Sequence, residues 1–242
     1  IELSHTVEEL CDLTLEILSR NAPREDTYVR PLAYKAAESV GVNLKGETEL
    51  SIFTVPMGNY VELTGLKVCV SSWRRTPDNA IPARAKCTGS YVNTALAVDE
   101  AHMSGYDDAI FLTQDGQVSE ASAANIFLLR KGQLITPPVT ADILEGITRD
   151  AVMELAGKEL GMPVIEREVG RTELYAADEV FLSGTGFQIA PVIEVDDRPV
   201  GTGSIGPVAG RLQELYFKAA RGEWEEYADW TVAIEVAERA AG

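Results

Sequence analysis

Cysteine is scarce and irregularly placed in this chain. Its 242 residues include three cysteines, Cys11, Cys69 and Cys87. Their number is odd, and they lack the spacing of paired metal ligands. The sequence therefore predicts no metal site, and reduced thiols of this kind are typical of a cytoplasmic protein.

Long hydrophobic stretches are also missing. No apolar run reaches about eighteen residues, the length that a transmembrane helix requires, and we find neither internal repeats nor low-complexity segments. The first residues, IELSHTVEEL, contain neither the basic region nor the apolar segment of a secretory signal. We therefore expect no membrane partner and a cytoplasmic location.

Positive charge is in short supply. The chain has 21 basic and 38 acidic residues, for a net charge of −17. Such a negative field disfavours nucleic acid and anionic membranes as partners. Any site for an anionic small molecule must therefore be locally basic. The stretch WRRTPDNAIPARAK is locally basic, because it contains four basic residues, Arg74, Arg75, Arg84 and Lys86, and one acidic residue, Asp78.

What is present predicts a mixture of helices and strands. A capping box formed by Thr6 and Glu9 opens the first helix, and further helices are predicted over 91–103, 147–160, 172–177 and 206–222. Strands are predicted over 27–36, 49–58, 65–73, 164–169 and 179–186, as a hairpin over 190–201, and as three strands between 108 and 138. Because strands and helices do not alternate strictly, the predicted fold class is α+β.

Lys86 is the first residue with possible chemistry. It lies in IPARAKCTGSYVNTALA, where its neighbours are small and a helix follows. Nearby arginines would lower the pKa of its amine, which suits a nucleophile or base. Small neighbours would leave room for a flat ring, although most lysines are simply solvated.

Two other features could hold the remaining parts of a cofactor. The helix that begins near Ile147 offers free N–H groups to a phosphate, and the hydroxyls of Thr148 and Thr185 could add to them. Glu120 interrupts a strand of small or apolar residues, and a buried carboxylate there would need a cationic partner. A lysine, an anion-binding helix start and a lone carboxylate are together what pyridoxal phosphate requires.

The chain resembles the branched-chain amino acid aminotransferases, which belong to the class IV (fold type IV) pyridoxal phosphate enzymes. The matching segments occur in family order over nearly the whole chain: YVRPL, PMGNYV, SSWRR, IPARAKCTGSYVNTALA, VSEASAANIF, LEGITRD, ADEVFLSGTG and GPVAGRLQ. The resemblance implies a two-domain fold related to D-amino acid aminotransferase and a homodimer or larger assembly. Its substrates would be amino acids and 2-oxo acids.

The resemblance also implies roles for individual residues toward the cofactor. Lys86 matches the lysine that is bonded to the cofactor aldehyde and later moves a proton. Tyr91 matches the tyrosine that hydrogen-bonds to the phenolic oxygen of the cofactor. Glu120 matches the acidic residue that contacts the pyridine nitrogen of the cofactor. Phosphate ligands are matched by Ile147, Thr148 and Thr185.

Substrate recognition is implied for a second group. Thr185 and Gly186, with the hydroxyl of Tyr28, match the site of the α-carboxylate. Arg30 matches the arginine that meets the side-chain carboxylate of glutamate, and Tyr60 matches an aromatic wall of the side-chain pocket. Tyr28 and Arg30 are two residues apart on a predicted strand, so their side chains should face the same side.

The resemblance predicts a two-domain organisation, and the chain departs from the family at several positions. We expect a small domain over 1–56, a linker over 57–66 and a large cofactor-binding domain over 67–242. Family chains usually carry a further N-terminal segment with a phosphate-binding arginine, and the small domain resembles a shortened version of theirs. Phe187, Gln188 and the pair Ala123-Ala124 also depart from the family and could retune the pocket.

Three functions are compatible with the sequence. The first is transamination of leucine, isoleucine and valine with 2-oxoglutarate. The second keeps the fold but changes the reaction: a D-amino acid or (R)-amine transaminase, or an aminodeoxychorismate lyase. The third is a pseudoenzyme or fragment without cofactor. The segment YVRP favours the first, because Tyr28 and Arg30 suit an L-amino acid and a glutamate side chain.

Overall fold

The computed structural model describes residues 2–58 and 61–234. The described residues divide into two compact units: 2–58 with 232–234 form the first, and 61–231 form the second. No helix within the described residues combines the length and apolar character needed to cross a membrane.

The first unit contains a helix and a strand pair. Helix α1 (Val7–Asn21) begins after Thr6, whose hydroxyl accepts a hydrogen bond from the N–H of Glu9. The Glu9 carboxylate accepts one from the N–H of Thr6 in return, so the predicted capping box is confirmed. Strands β1 (Thr27–Lys35) and β2 (Thr48–Pro56) pair antiparallel along their full length.

The second unit holds the other regular elements. Its strands are β3 (Leu66–Arg74), β4 (Asp108–Leu112), β5 (Val118–Ala121), β6 (Asn125–Arg130), β7 (Gln133–Thr136), β8 (Ile165–Glu166), β9 (Glu179–Gly184), β10 (Gln188–Val195) and β11 (Arg198–Pro199). Its α-helices are α2 (Tyr91–Met103), α3 (Ile147–Glu159) and α4 (Pro207–Ala220). Short 3₁₀ helices cover Thr88–Ser90, Arg171–Ala176 and Glu225–Trp230.

These strands form one mixed sheet of nine strands among the described residues. The order is β5-β4-β3-β10-β9-β6-β7-β8, and β11 pairs with β10. Strand β3 is parallel to both β4 and β10, whereas β9 is antiparallel to both β10 and β6. The mixture of parallel and antiparallel pairs agrees with the predicted α+β class.

Side chains of the central strands point alternately to the two faces of the sheet, so each face has its own buried apolar cluster. In β6, Ile126 and Leu128 belong to one buried cluster, whereas Phe127 belongs to another, because successive side chains of a strand point to opposite faces. Phe127 stacks on Phe181 of β9 with ring centroids 5.1 Å apart. Apolar residues of α3 and α4 complete this second cluster, which holds both helices on one face of the sheet.

The segment 108–138 differs from its prediction. It forms four strands instead of three, because the strand predicted through VSEASAANIF stops at Ala121 and a new one starts at Asn125. The N–H of Ala121 donates to the carbonyl of Ala124 across the turn between them. Small residues fit a turn as well as a strand, so the pattern could not separate the two.

A carboxylate that fixes the β8–β9 connection gives a stability prediction. Glu173 accepts two hydrogen bonds from Arg167, one from Arg130 at 2.7 Å and one from the N–H of Gly170 at 3.1 Å. The Arg167 hydrogen bonds above all lower the pKa of Glu173 from 4.5 to about 2. The group therefore stabilises the fold fully above its unfolded-state pKa and loses this contribution as the pH falls toward 2.

We expect Glu173→Gln to lower the free energy of unfolding by on the order of 2 kcal/mol near neutral pH. The gap between parent and variant should shrink as the pH is lowered from about 5 to about 3. Urea titrations across this range measure it. Glu154→Gln, which removes an exposed carboxylate paired with Lys158, is the control. A gap that stays constant over the range would contradict the assignment.

Candidate active site

A cavity of about 240 Å³ lies in the second unit, where several of its elements begin or end. Residues at the ends of β5 and β9 and at the starts of β6, α2 and α3 contribute to its wall. It brings together six residues predicted from the sequence: Lys86, Tyr91, Glu120, Ile147, Thr148 and Thr185.

Lys86 reaches this cavity from the loop between β3 and α2. Its side chain is exposed, and the small residues Ala85 and Ser90 lie beside it in the wall. Within the described part of the chain, no carboxylate forms an ion pair with its ammonium group. The amine is therefore available to a ligand.

Two of the arginines near Lys86 are paired with carboxylates, which corrects the simple view of a positive patch. Arg84 pairs with Glu145 at 2.6 Å and lies 3.6 Å from Asp78. Arg75 pairs with Glu120. Both arginines thus organise carboxylates around the cavity instead of presenting free charge to it.

Glu120 is the buried carboxylate at the end of β5, with 4% of its surface exposed. Its Oε1 lies 2.5 Å from Nη2 of Arg75, whose side chain is also largely buried. Its Oε2 accepts hydrogen bonds from Nδ2 of Asn125 and from the N–H of Leu144, both at 3.1 Å. The predicted cationic partner is confirmed, and it is Arg75.

Opposing influences set the protonation of Glu120. Burial raises the pKa of its carboxyl to about 7, whereas the charge of Arg75, the Leu144 N–H and the charge of Lys86 act in the opposite direction. The ion pair with Arg75 therefore offsets part of the cost of burying this carboxylate. A basic nitrogen placed against it would favour the charged form.

The start of α3 forms another part of the wall. Gly146 is the N-cap and offers no side-chain cap, so the first N–H groups of the helix have no side-chain acceptor of their own. Ile147 is 89% exposed, whereas Thr148 is buried. Arg149 anchors this turn, because its Nη2 lies 2.5 Å from Glu166 and 3.2 Å from the Pro137 carbonyl.

The end of β9 closes the cavity. Ser183 and Thr185 line it, whereas Gly186 is not among its lining residues. The Ser183 hydroxyl is buried without a hydrogen-bond partner among the described residues. A Cβ at Gly184 would lie 3.1 Å from the Ala123 carbonyl oxygen, so a glycine lets this strand end approach the turn after β5.

The predicted substrate residues of the first unit are placed on β1. Nη2 of Arg30 lies 3.4 Å from the Tyr28 hydroxyl, and its guanidinium lies 5.1 Å from the centre of the Tyr28 ring. The expectation that both side chains share one side of the strand is therefore confirmed. Tyr60 lies outside the described residues.

The residues that depart from the family separate into two groups. Ala123 and Ala124 line the cavity. Phe187 is buried in the same core cluster as Ala124, but neither Phe187 nor Gln188 is among the residues that line the cavity. The departures that bear directly on this cavity are therefore the two alanines.

Two residues of the site were not predicted from the sequence. Arg75 was visible only as one member of a basic cluster, with no sign that it pairs with Glu120. Asn125 carried no signal, because an asparagine at a strand start is more often a turn residue. Both are identified by contacts between segments that are distant in sequence.

Similarity to known proteins identifies the family of this chain. The model of the amino-transferase class IV family matches residues 1–195. The chain belongs to the class IV aminotransferases. This match confirms the resemblance noted in the sequence, and the cavity described above is the candidate active site of such an enzyme.

Relatives and solved structures agree with the family assignment. A probable branched-chain-amino-acid aminotransferase of Aquifex aeolicus is 48% identical over 97% of this chain and 76% of its own length. The branched-chain aminotransferase of Thermoproteus uzoniensis, crystallised with norvaline, has a TM-score of 0.91 at 40% identity, over 95% of this chain and 76% of that one. The PLP form of the Thermobaculum terrenum enzyme has a TM-score of 0.91 at 39% identity, with 95% and 76% covered.

Proposed function

We propose that this class IV aminotransferase is a pyridoxal phosphate-dependent branched-chain-amino-acid aminotransferase. It would transfer the amino group of leucine, isoleucine or valine to 2-oxoglutarate, giving branched 2-oxo acids and L-glutamate. The observation that carries the proposal is the convergence of Lys86, Glu120 and the start of α3 on one cavity. The names of the similar proteins, all branched-chain aminotransferases, support the substrate class.

The donor set of the cavity fits pyridoxal phosphate. The uncapped start of α3 and the hydroxyls of Thr148 and Thr185 suit a phosphate. Among the residues that the structure describes, the buried Ser183 hydroxyl has no hydrogen-bond partner. Lys86 supplies an amine for the aldehyde. Glu120 supplies a carboxylate for the ring nitrogen, and Tyr91, at the start of α2, supplies a phenol for the ring oxygen.

The chain's own residues would orient this group and move protons around it. When bound, the cofactor supplies an electron sink that makes the Cα–H bond of an amino acid acidic. Lys86, once its Nζ is free, can take that proton and return it elsewhere. Within the described residues no carboxylate is ion-paired with this amine, which leaves it able to exchange protons.

Glu120 retains one acceptor site for the ring. A carboxylate offers about four lone-pair positions, and Arg75, Asn125 and the Leu144 N–H occupy three of them. The remaining one can accept a hydrogen bond from a protonated pyridine nitrogen. Arg75 keeps the carboxylate in place and favours its charged form, which in turn favours the proton on the nitrogen.

Two measurements test the proposal and its competitors. A visible absorbance band on addition of pyridoxal phosphate should appear, and its absence would support a protein without cofactor. Leucine and 2-oxoglutarate should then yield glutamate and 4-methyl-2-oxopentanoate. Turnover of D-alanine, an (R)-amine or aminodeoxychorismate in place of leucine would establish one of the other reactions of the fold.

Recognition of both an apolar and an acidic substrate leads to a prediction for Arg30. A pocket apolar enough for leucine would reject a carboxylate unless a cation is near. We propose that Tyr28 holds the α-carboxylate and that Arg30 meets the distal one. Arg30→Met should then raise the KM for glutamate and 2-oxoglutarate about tenfold or more, which corresponds to loss of one charge-assisted contact of roughly 1.5–3 kcal/mol.

The measurement is single-turnover loss of the visible band with each amino acid separately. The reaction with leucine should change much less than that with glutamate. Arg20→Met, which removes an exposed arginine of α1 paired with Glu16, is the matched control. Equal losses for leucine and glutamate would mean that Arg30 supports the fold or the cofactor instead.

A further inference from the structure

Asn125 lies between the two ends of the candidate site. It is the first residue of β6, it is 5% exposed, and it is opposite Ser183 in the ladder with β9. Its position is therefore set by the central part of the sheet. Its side chain, in contrast, points toward two other segments, the end of β5 and the loop before α3.

The amide of Asn125 joins these segments by two hydrogen bonds from one nitrogen. Nδ2 donates to Oε2 of Glu120 at 3.1 Å and to the carbonyl of Leu144 at 2.8 Å. The N–H of Leu144 donates to the same Glu120 oxygen at 3.1 Å. An amide nitrogen has two protons, so both bonds are satisfied at once. The three residues form a closed triangle of contacts.

The triangle extends to the helix start. Leu144 is two residues before Gly146, the N-cap of α3. A Cβ at Gly146 would collide with Oδ1 of Asn125. The hydrogen bond to Leu144 thus keeps the start of α3 from moving away from Asn125. The close contact with Gly146 keeps it from moving nearer.

From this geometry we propose that Asn125 is a positioning residue that fixes the Glu120 carboxylate and the start of α3 relative to each other. The inference rests on the proposed cofactor, whose ring nitrogen and phosphate would be held at these two places. Rigid spacing of the two anchors would match a ligand of fixed length and reduce the entropy lost when it binds.

Asparagine suits this position, and aspartate of the same shape does not. Asn125→Asp removes both protons of Nδ2 and places acceptor atoms against the Glu120 carboxylate and the Leu144 carbonyl. The loop before α3 should then move away from the strand. The substitution should therefore disturb both the Glu120 carboxylate and the start of α3. Asn125 itself is not proposed to bind either the ring nitrogen or the phosphate.

The test uses two probes, each for one end of the site, on cofactor-free protein. Binding of inorganic phosphate, measured by calorimetry, reports on the start of α3. Binding of pyridoxal, which lacks the phosphate, is measured from its visible band and reports on the part of the site that holds the ring. Asn125→Asp should weaken both affinities by about tenfold or more. Thr148→Val should weaken phosphate binding alone, and Glu120→Gln should weaken pyridoxal binding much more than phosphate binding.

A matched control and a second variant separate positioning from loss of stability. Gln213→Ala removes a half-buried amide that donates to the Ile189 carbonyl at 2.8 Å away from the cavity, and it should leave both affinities unchanged. Gly146→Ala introduces a methyl group that would push against Asn125, so it should weaken the binding of pyridoxal as well as that of phosphate. This variant provides the test if Asn125→Asp does not fold.

The outcomes distinguish this inference from the proposed function. Parent protein that binds both probes but does not transaminate leucine would overturn the function and leave the test of Asn125 valid. If Asn125→Asp and Gly146→Ala affect one probe only, or neither, the positioning role is wrong while the function stands. Failure of the parent to bind either probe would overturn both.

Discussion

Lys86→Ala is expected to abolish transamination and to remove the visible band of the bound cofactor. Lys86 lines the cavity, and without its amine neither the bond to the cofactor aldehyde nor the proton transfer has a group to carry it. The residual rate should be at least four orders of magnitude lower, about 5 kcal/mol in transition-state stabilisation.

Borohydride reduction of the cofactor-loaded parent, followed by peptide mapping, locates the bonded lysine. The label should be found on Lys86. Label on Lys35 or Lys67 instead would make the assignment wrong. Lys67→Ala is the control, because Lys67 is half-exposed, pairs with Glu194 and is outside the cavity, so this variant should keep both the band and the activity.

Glu120→Gln is expected to leave the cofactor bound but to reduce transamination by two or more orders of magnitude. The amide cannot stabilise a positive charge on the pyridine nitrogen as the carboxylate does, so the electron sink is weakened. Arg75 would also lose its buried counter-ion, which lowers stability. Folding must therefore be checked beside the rates, and half-reaction kinetics with leucine measure the chemical effect.

Glu179→Gln is the matched control for this variant. Glu179 is also buried and accepts hydrogen bonds from the N–H groups of Val208 and Ala209 at the start of α4, but it is outside the cavity. It should cost stability without a comparable loss in rate. Activity of Glu120→Gln within about threefold of the parent, roughly 0.7 kcal/mol, would contradict the proposed role.

Local features of the fold could be predicted from the sequence because their causes are local. The capping box of Thr6 and Glu9 depends on side chains three residues apart, and α2 was predicted with the bounds that it has. The hairpin at Asp196-Asp197 depends on turn chemistry that is equally local. The interruption between β5 and β6 was missed, since small residues satisfy a turn and a strand alike.

The residue types of the candidate site were also determined by the sequence. Lys86, Glu120 and the glycine before α3 are recognisable because their surroundings are unusual: a cation among small residues, an acid in an apolar strand and a helix start without a cap. The family match confirms the class of protein that these motifs indicated. Spacing along the chain, however, says nothing about which of these groups meet.

Only the tertiary structure decided the partners. Arg75 pairs with Glu120, and Asn125 joins Glu120 to the loop before α3. Such contacts depend on which strands are neighbours in the sheet, and that order is set by burial of apolar faces over the whole unit. A side chain's protonation and orientation follow from those neighbours. The sequence by itself therefore determined the chemical groups of this protein, and the packing of the sheet determined how they are held together.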